Sequence, residues 1–121
     1  MNAAPVSAAE TPLFAQGLAR PGGYRDITVA QLRAMRPWPR IVDVREPSEW
    51  SGELPALKEA MLVPLASVVS KAAGWSPDEE IVLICRSGRR SARAAEELVR
   101  RGFRYVMNLD GGMLAVYAGP G

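Results

Sequence analysis

Short apolar runs alternate with helix-spaced apolar positions between Tyr24 and Tyr117, and this alternation predicts the elements of a domain. Thr28 and Gln31 have the spacing of a capping box, and Val29, Leu32 and Met35 follow at helical intervals until Pro37 and Pro39 stop the helix. Ile41–Val44 reads as a buried strand, 47–52 as one helical turn carrying Trp50, and Met61–Val63 as a short strand. Leu65, Val68, Val69 and Ala72 share one helix face, which Gly74 ends. Ile81–Ile84 is a second, strongly apolar strand. Ser91 is the candidate N-cap of the next helix, whose buried face is Ala92, Ala95, Leu98 and Val99 and which ends at Gly102. Tyr105–Leu109 is a third long strand, followed by the turn Asp110-Gly111-Gly112 and an apolar segment to Tyr117.

Strands alternating with helices predict an α/β fold, with a mostly parallel sheet covered by helices on both faces. Residues 1–23 are rich in Ala, Pro and Gly and lack a period. They read as an N-terminal arm, ordered or not, from which Leu13, Phe14 and Leu18 are the candidates to dock on a domain spanning 24–121.

Composition narrows the chemistry. The chain has 121 residues, 48% hydrophobic and 23% charged, the profile of one globular domain. A net charge of +2 is too small to argue for a nucleic-acid partner, although arginines crowd the stretch from Arg86 to Arg104. No apolar run approaches the ~20 residues that span a bilayer, and the N-terminus lacks the pattern of a signal peptide, so the expected location is cytoplasmic, with no membrane partner. There is one cysteine and no histidine. An internal disulfide is therefore excluded, and so is any Cys-His or Ser-His mechanism within this chain. No metal site and no cofactor are expected. If the lone thiol of Cys85 is activated, backbone dipoles and arginines must do it.

Cys85 stands at the carboxyl end of the Ile81–Ile84 strand, where parallel sheets bind ligands. The residues after it, Arg86-Ser87-Gly88-Arg89-Arg90, form a tight loop leading into a helix. Such a loop turns several N–H groups inward, at the positive end of the helix dipole. Gly88 lets the backbone turn there. A lone cysteine is most often a core residue, but a core cysteine has no need of a glycine loop and four arginines. A thiol in this cradle should ionise in the ~3.5–7.5 range of activated cysteines.

These residues also carry a resemblance. Ile41-Val42-Asp43-Val44-Arg45-Glu46-Pro47-Ser48-Glu49-Trp50 is similar to the first signature of the rhodanese family, the sulfurtransferase fold. The stretch Cys85 to Ala92 resembles its active-site loop, and Gly102-Phe103 with Val106 to Met113 resembles its closing segment. The resemblance implies a doubly wound α/β fold and a Cys85 persulfide that carries sulfur from thiosulfate or a related small-molecule donor to cyanide, a thiol or a protein acceptor. Donor contacts then fall to Arg86, Ser87, Gly88, Arg89 and Arg90. Two departures stand out: residues 53–64 are longer than the family's usual stretch, and Tyr117 stands where tryptophan is common.

Asp43 and Arg45 read as a structural pair supporting the site rather than as an acid and an anion clamp. Trp38, Trp50 and Trp75 read as core or rim residues. The Ser87 hydroxyl has two even readings, a donor to the sulfur or a loop-closing group. The competing functions are a protein-directed sulfur relay, a non-enzymatic binding or sensing module, and a cysteine phosphatase or arsenate reductase. The intact thiol argues against a pure binding module. Phosphatases that resemble this fold place five residues between cysteine and arginine, whereas four separate Cys85 from Arg90.

Overall fold

The structure, a computed structural model, describes residues 12–118. Six strands form one sheet in the order β1-β2-β6-β5-β3-β4. They are β1 (Leu18–Ala19), β2 (Arg25–Ile27), β3 (Arg40–Asp43), β4 (Met61–Leu62), β5 (Glu80–Ile84) and β6 (Tyr105–Leu109). Only the edge pair β1–β2 is antiparallel; β2–β6, β6–β5, β5–β3 and β3–β4 are parallel. The helices are α1 (Val29–Arg33), α2 (Pro47–Trp50), α3 (Val68–Ala72), α4 (Arg89–Arg100) and α5 (Gly112–Val116), with 3₁₀ turns at Phe14–Gln16 and Leu65–Ser67.

The alternation of side chains across β5 and β6 builds two cores. Ile81 and Leu83 with Val106 face Val68 and Ala72 of α3 and Ala94, Ala95 and Leu98 of α4. Val82 and Ile84 with Met107 and Leu109 face Leu32 of α1 and Met113 and Val116 of α5. Helices on both faces bury β5 on each side, which explains its unbroken apolar run. This is the doubly wound α/β architecture expected from the sequence.

Several local readings hold. The Thr28 hydroxyl accepts the Gln31 N–H at 3.0 Å, and the Gln31 side-chain oxygen accepts the Thr28 N–H at 2.9 Å. Leu13 and Phe14 are buried against the second core, while Leu18 lies in β1 at the sheet edge and stays 67% exposed. The first eleven residues of the arm lie outside the described residues.

Most elements shift from the expected bounds by a residue or two, and the start of α4 moves furthest in consequence. The N-cap of α4 is Gly88, not Ser91. Gly88 sits at φ +102°, a left-handed conformation that β-carbon-bearing residues avoid, so the helix begins immediately after it. Ser91 becomes the third helical residue, completely buried.

Candidate active site

Cys85 follows the last residue of β5 and precedes the three-residue link Arg86–Gly88 into α4. Its side chain is 1% exposed. Two clamps fix the link. From the far side, the N–H groups of Met113 and Leu114 in the first turn of α5 donate to the carbonyls of Cys85 and Arg86 at 2.8 and 3.0 Å. The Arg86–Ser87 peptide held this way presents its Ser87 amide to the sulfur. The approach requires Gly112: at φ +57°, a β-carbon would collide with the Cys85 carbonyl and come within 2.6 Å of the Arg86 carbonyl. The Gly-Gly turn, to which the sequence assigns no chemistry, is thus the floor of the site.

From the near side, the amino end of α4 donates to the sulfur. Sγ accepts the Gly88 N–H at 3.1 Å, the Ser91 N–H at 3.4 Å and the Ser91 hydroxyl at 3.3 Å. Burial alone would push the thiol up; the Ser91 hydroxyl and the amides of Ser91, Gly88 and Ser87 outweigh it and lower it below the usual cysteine value. The twelve-residue α4 points its positive end at the same atom.

The remaining sequence-predicted residues divide. Ser87 is exposed, and its backbone, not its hydroxyl, acts on the sulfur. Arg86 and Arg89 are exposed. Arg86 makes one loose ion pair with Glu53 at 3.4 Å, and Arg89 has no ion pair among the described residues. Arg90 turns aside into a two-pronged pair with Glu49 of α2, at 2.8 and 2.9 Å. That guanidinium, opposed by burial and aided by the Glu46 amide, holds the Glu49 carboxyl at about 2. Asp43 and Arg45 form a buried pair in which Nε and Nη2 reach the carboxylate at 3.0 and 2.9 Å. Arg45 Nη1 also donates to the Leu54 carbonyl at 2.8 Å, tying down the elongated 53–64 segment. The pair lies at the end of β3, where Asp43 is in register with Ile84, and neither side chain is among the sulfur's hydrogen-bond partners. The indoles of Trp38 and Trp75 lie under Arg36 and Arg40, and neither contributes to the cradle.

Besides Gly112, the sequence pattern does not mark two contributors as such: Ser91, which it presents as a cap, and Asn108, 5% exposed in β6. The signal for Asn108 was present, as an amide inside the otherwise apolar run Tyr105–Leu109. Among the described residues, no group of acidic, cysteine or histidine side chains could hold a metal ion, and no helix is long and apolar enough to cross a membrane.

A buried, amide-cradled cysteine at the carboxyl end of a central parallel strand defines a class. The model of the rhodanese-like domain matches residues 28–118, and the chain belongs to that family. It is 34% identical over 76 residues to a protein of Allochromatium vinosum named "Sulfurtransferase", covering 62% of this chain and 68% of that one. It is 38% identical over 73 residues to a Bacillus subtilis protein named "Putative sulfur carrier protein YrkF"; that match covers 60% of this chain but only 38% of the relative. Among solved structures, a rhodanese-like domain protein from Staphylococcus aureus superposes with a TM-score of 0.66 at 29% identity, covering 74% of this chain and 88% of the other.

Proposed function

We propose that this protein is a sulfurtransferase that moves a sulfane sulfur from thiosulfate, or a donor like it, to a thiophilic acceptor through a persulfide on Cys85. Sulfur transfer as a general reaction class is supported by the family and by the relatives named sulfurtransferase and sulfur carrier. The observation that carries the finer reading is the convergence of the Gly88 and Ser91 amides and the Ser91 hydroxyl on one buried sulfur.

The chemistry balances without a cofactor. The Cys85 thiolate attacks the outer sulfur of thiosulfate; the new S–S bond forms as the old one breaks, and sulfite leaves with its electron pair. Cyanide, a thiol or a protein thiolate then attacks the outer persulfide sulfur and regenerates the Cys85 thiolate. The amides that lower the thiol serve the persulfide anion equally. Arg86 and Arg89 at the mouth receive the oxygens of the donor, while the Arg90–Glu49 and Asp43–Arg45 pairs hold the walls. A single reduced cysteine suits a cytoplasmic setting.

A second reading, a protein-directed relay in which the acceptor is a partner protein, is favoured by the sulfur-carrier name of one relative. Intact mass after incubation with thiosulfate should rise by one sulfur atom and return with cyanide. A Cys85→Ser variant that still gains the sulfur defeats both readings; a persulfide that forms but is discharged only by a protein acceptor selects the second.

A further inference from the structure

A row of polar groups, buried at Ser91 and Asn108 and partly exposed at Asp26, runs from the sulfur across the sheet. The Ser91 hydroxyl lies 3.3 Å from Cys85 Sγ, and it makes a closer contact, shorter than an ordinary hydrogen bond, with Asn108 Oδ1. Asn108 Nδ2 donates to Asp26 Oδ1 and to the Gly88 carbonyl, both at 3.2 Å. Those two acceptors settle the sense of the amide: its nitrogen must face them, so its oxygen faces Ser91.

Ser91 has one hydroxyl proton and two acceptors. With the sulfur protonated, the proton belongs to Asn108, and a serine lone pair is left to receive the S–H. With the sulfur anionic, the hydroxyl must turn to it, and Asn108 Oδ1 then loses its partner in a buried place. We propose that Asn108 is a positioning residue that holds the Ser91 hydroxyl proton off the sulfur of Cys85 while that sulfur is protonated and yields it when the sulfur is charged. Asn108 thereby sets the thiol against the serine. A stronger hold keeps Cys85 neutral to a higher pH, and a weaker one charges it earlier. Asp26, ion-paired with Arg20 at 3.6 Å, fixes the amide that does the holding.

Among the charged groups around the row, Arg86, paired with Glu53, and Arg89 are exposed on the link and at the start of α4. Arg90 acts electrostatically on the sulfur from α4, with Glu49 of α2 on its other side. Asp26 and Arg20 stand behind Asn108, and Asp43 and Arg45 neutralise one another at the end of β3. Replacing Asn108 by an apolar residue of similar size also takes a donor from Asp26 Oδ1 and from the Gly88 carbonyl, so the effect of the Ser91 hydroxyl has to be isolated in a double variant.

The inference rests on Cys85 being the reacting thiol of the proposed transfer, but it is read from the thiol itself. The pH dependence of alkylation by iodoacetamide gives the ionisation of Cys85 in the full chain, whether or not any sulfur moves. Asn108→Leu should lower the thiol midpoint by about half to one unit, the size of one neutral hydrogen bond, and so speed alkylation about three- to tenfold on the acid limb. Ser91→Ala should raise the midpoint. In the double variant the Asn108→Leu effect should vanish, because no hydroxyl is left to release; effects acting through Gly88 or Asp26 would persist. A midpoint that rises or stays put in Asn108→Leu, or that falls equally without Ser91, overturns the proposal. The wild-type protein offers the same test without a substitution. The side-chain carbonyl ¹³C resonance of Asn108 should step with the ionisation of Cys85, and the step should be missing from Cys85→Ser. A flat resonance through that titration overturns it as well.

Discussion

Arg86 illustrates how exposure sets the magnitude of a residue's contribution. Its side chain is 47% exposed and its partner Glu53 is 77% exposed, so their pair is solvated, and in the proposed reaction the donor dianion takes the place of Glu53. A contact of this kind is worth about 0.2–1 kcal/mol rather than the larger value of a desolvated pair. Arg86→Ala should therefore raise the KM for thiosulfate by only about 1.4–5-fold, with kcat little changed, since an outer contact binds ground state and transition state alike. Steady-state kinetics with thiosulfate and cyanide measure the split, and unchanged constants would remove Arg86 from donor binding. Ser87 carries the complementary lesson: its side chain faces solvent while its amide serves the sulfur, so substitution by alanine should be nearly silent.

At the scale of elements, the site is a meeting of three chain ends: the end of β5, the start of α4 and the start of α5. Gly112 is the narrowest point of that meeting, because a β-carbon there would strike the carbonyls of Cys85 and Arg86. Gly112→Ala should cost roughly 1–2 kcal/mol for the left-handed backbone alone, with the collision added, and should release the amides of Met113 and Leu114 from the link. Urea unfolding should show the loss of stability, and sulfur transfer should fall far more than the same destabilisation produces elsewhere. Much of this arrangement was legible beforehand. The apolar run before Cys85 announced a central strand, and Gly88 announced the turn. Helix periodicity could not show where α4 begins, because Arg89, Arg90 and Ser91 are polar whether they precede a helix or open one. The backbone conformation of Gly88 decided it. Nor could the sequence show that Gly112 floors the link, since that contact joins residues distant along the chain. The sequence marks Asp43 and Arg45 as a supporting pair, but the anchoring of Leu54 by Arg45 depends on where the 53–64 segment folds back.

Over the whole molecule, ion pairs brace the elements around the cradle and also restrict what chemistry it can support. The Glu49–Arg90 pair ties α2 to α4, with the Glu49 carboxyl held at about 2 against an ordinary 4.5. A depressed folded value means stability that is present above the ordinary carboxylate range and fades as pH falls toward the folded value. The difference in urea midpoint between the wild type and Glu49→Gln should accordingly be full near neutral pH and shrink progressively below about pH 4. A difference that grows on acidification would contradict the pairing. The same brace bears on a second chemistry that related loops can perform. Hydrolysis of a phosphomonoester needs a cradle wide enough for three oxygens, a free guanidinium to hold them and an acid to protonate the leaving alkoxide. Here only Arg86, Ser87, Gly88 and Arg89 separate Cys85 from Arg90, and Arg90 is already occupied by both oxygens of Glu49. The chain has no histidine, and the Asp43 carboxylate is held by Arg45. Transfer of the outer sulfur of thiosulfate makes none of these demands, because sulfite leaves without a proton. The protein should therefore show no useful Cys85-dependent hydrolysis of para-nitrophenyl phosphate or 3-O-methylfluorescein phosphate, with Cys85→Ser as the control. Turnover comparable to its sulfur transfer would mean that Arg90 can leave Glu49 and open the loop to a phosphoryl group, which would place the chain with the phosphatases.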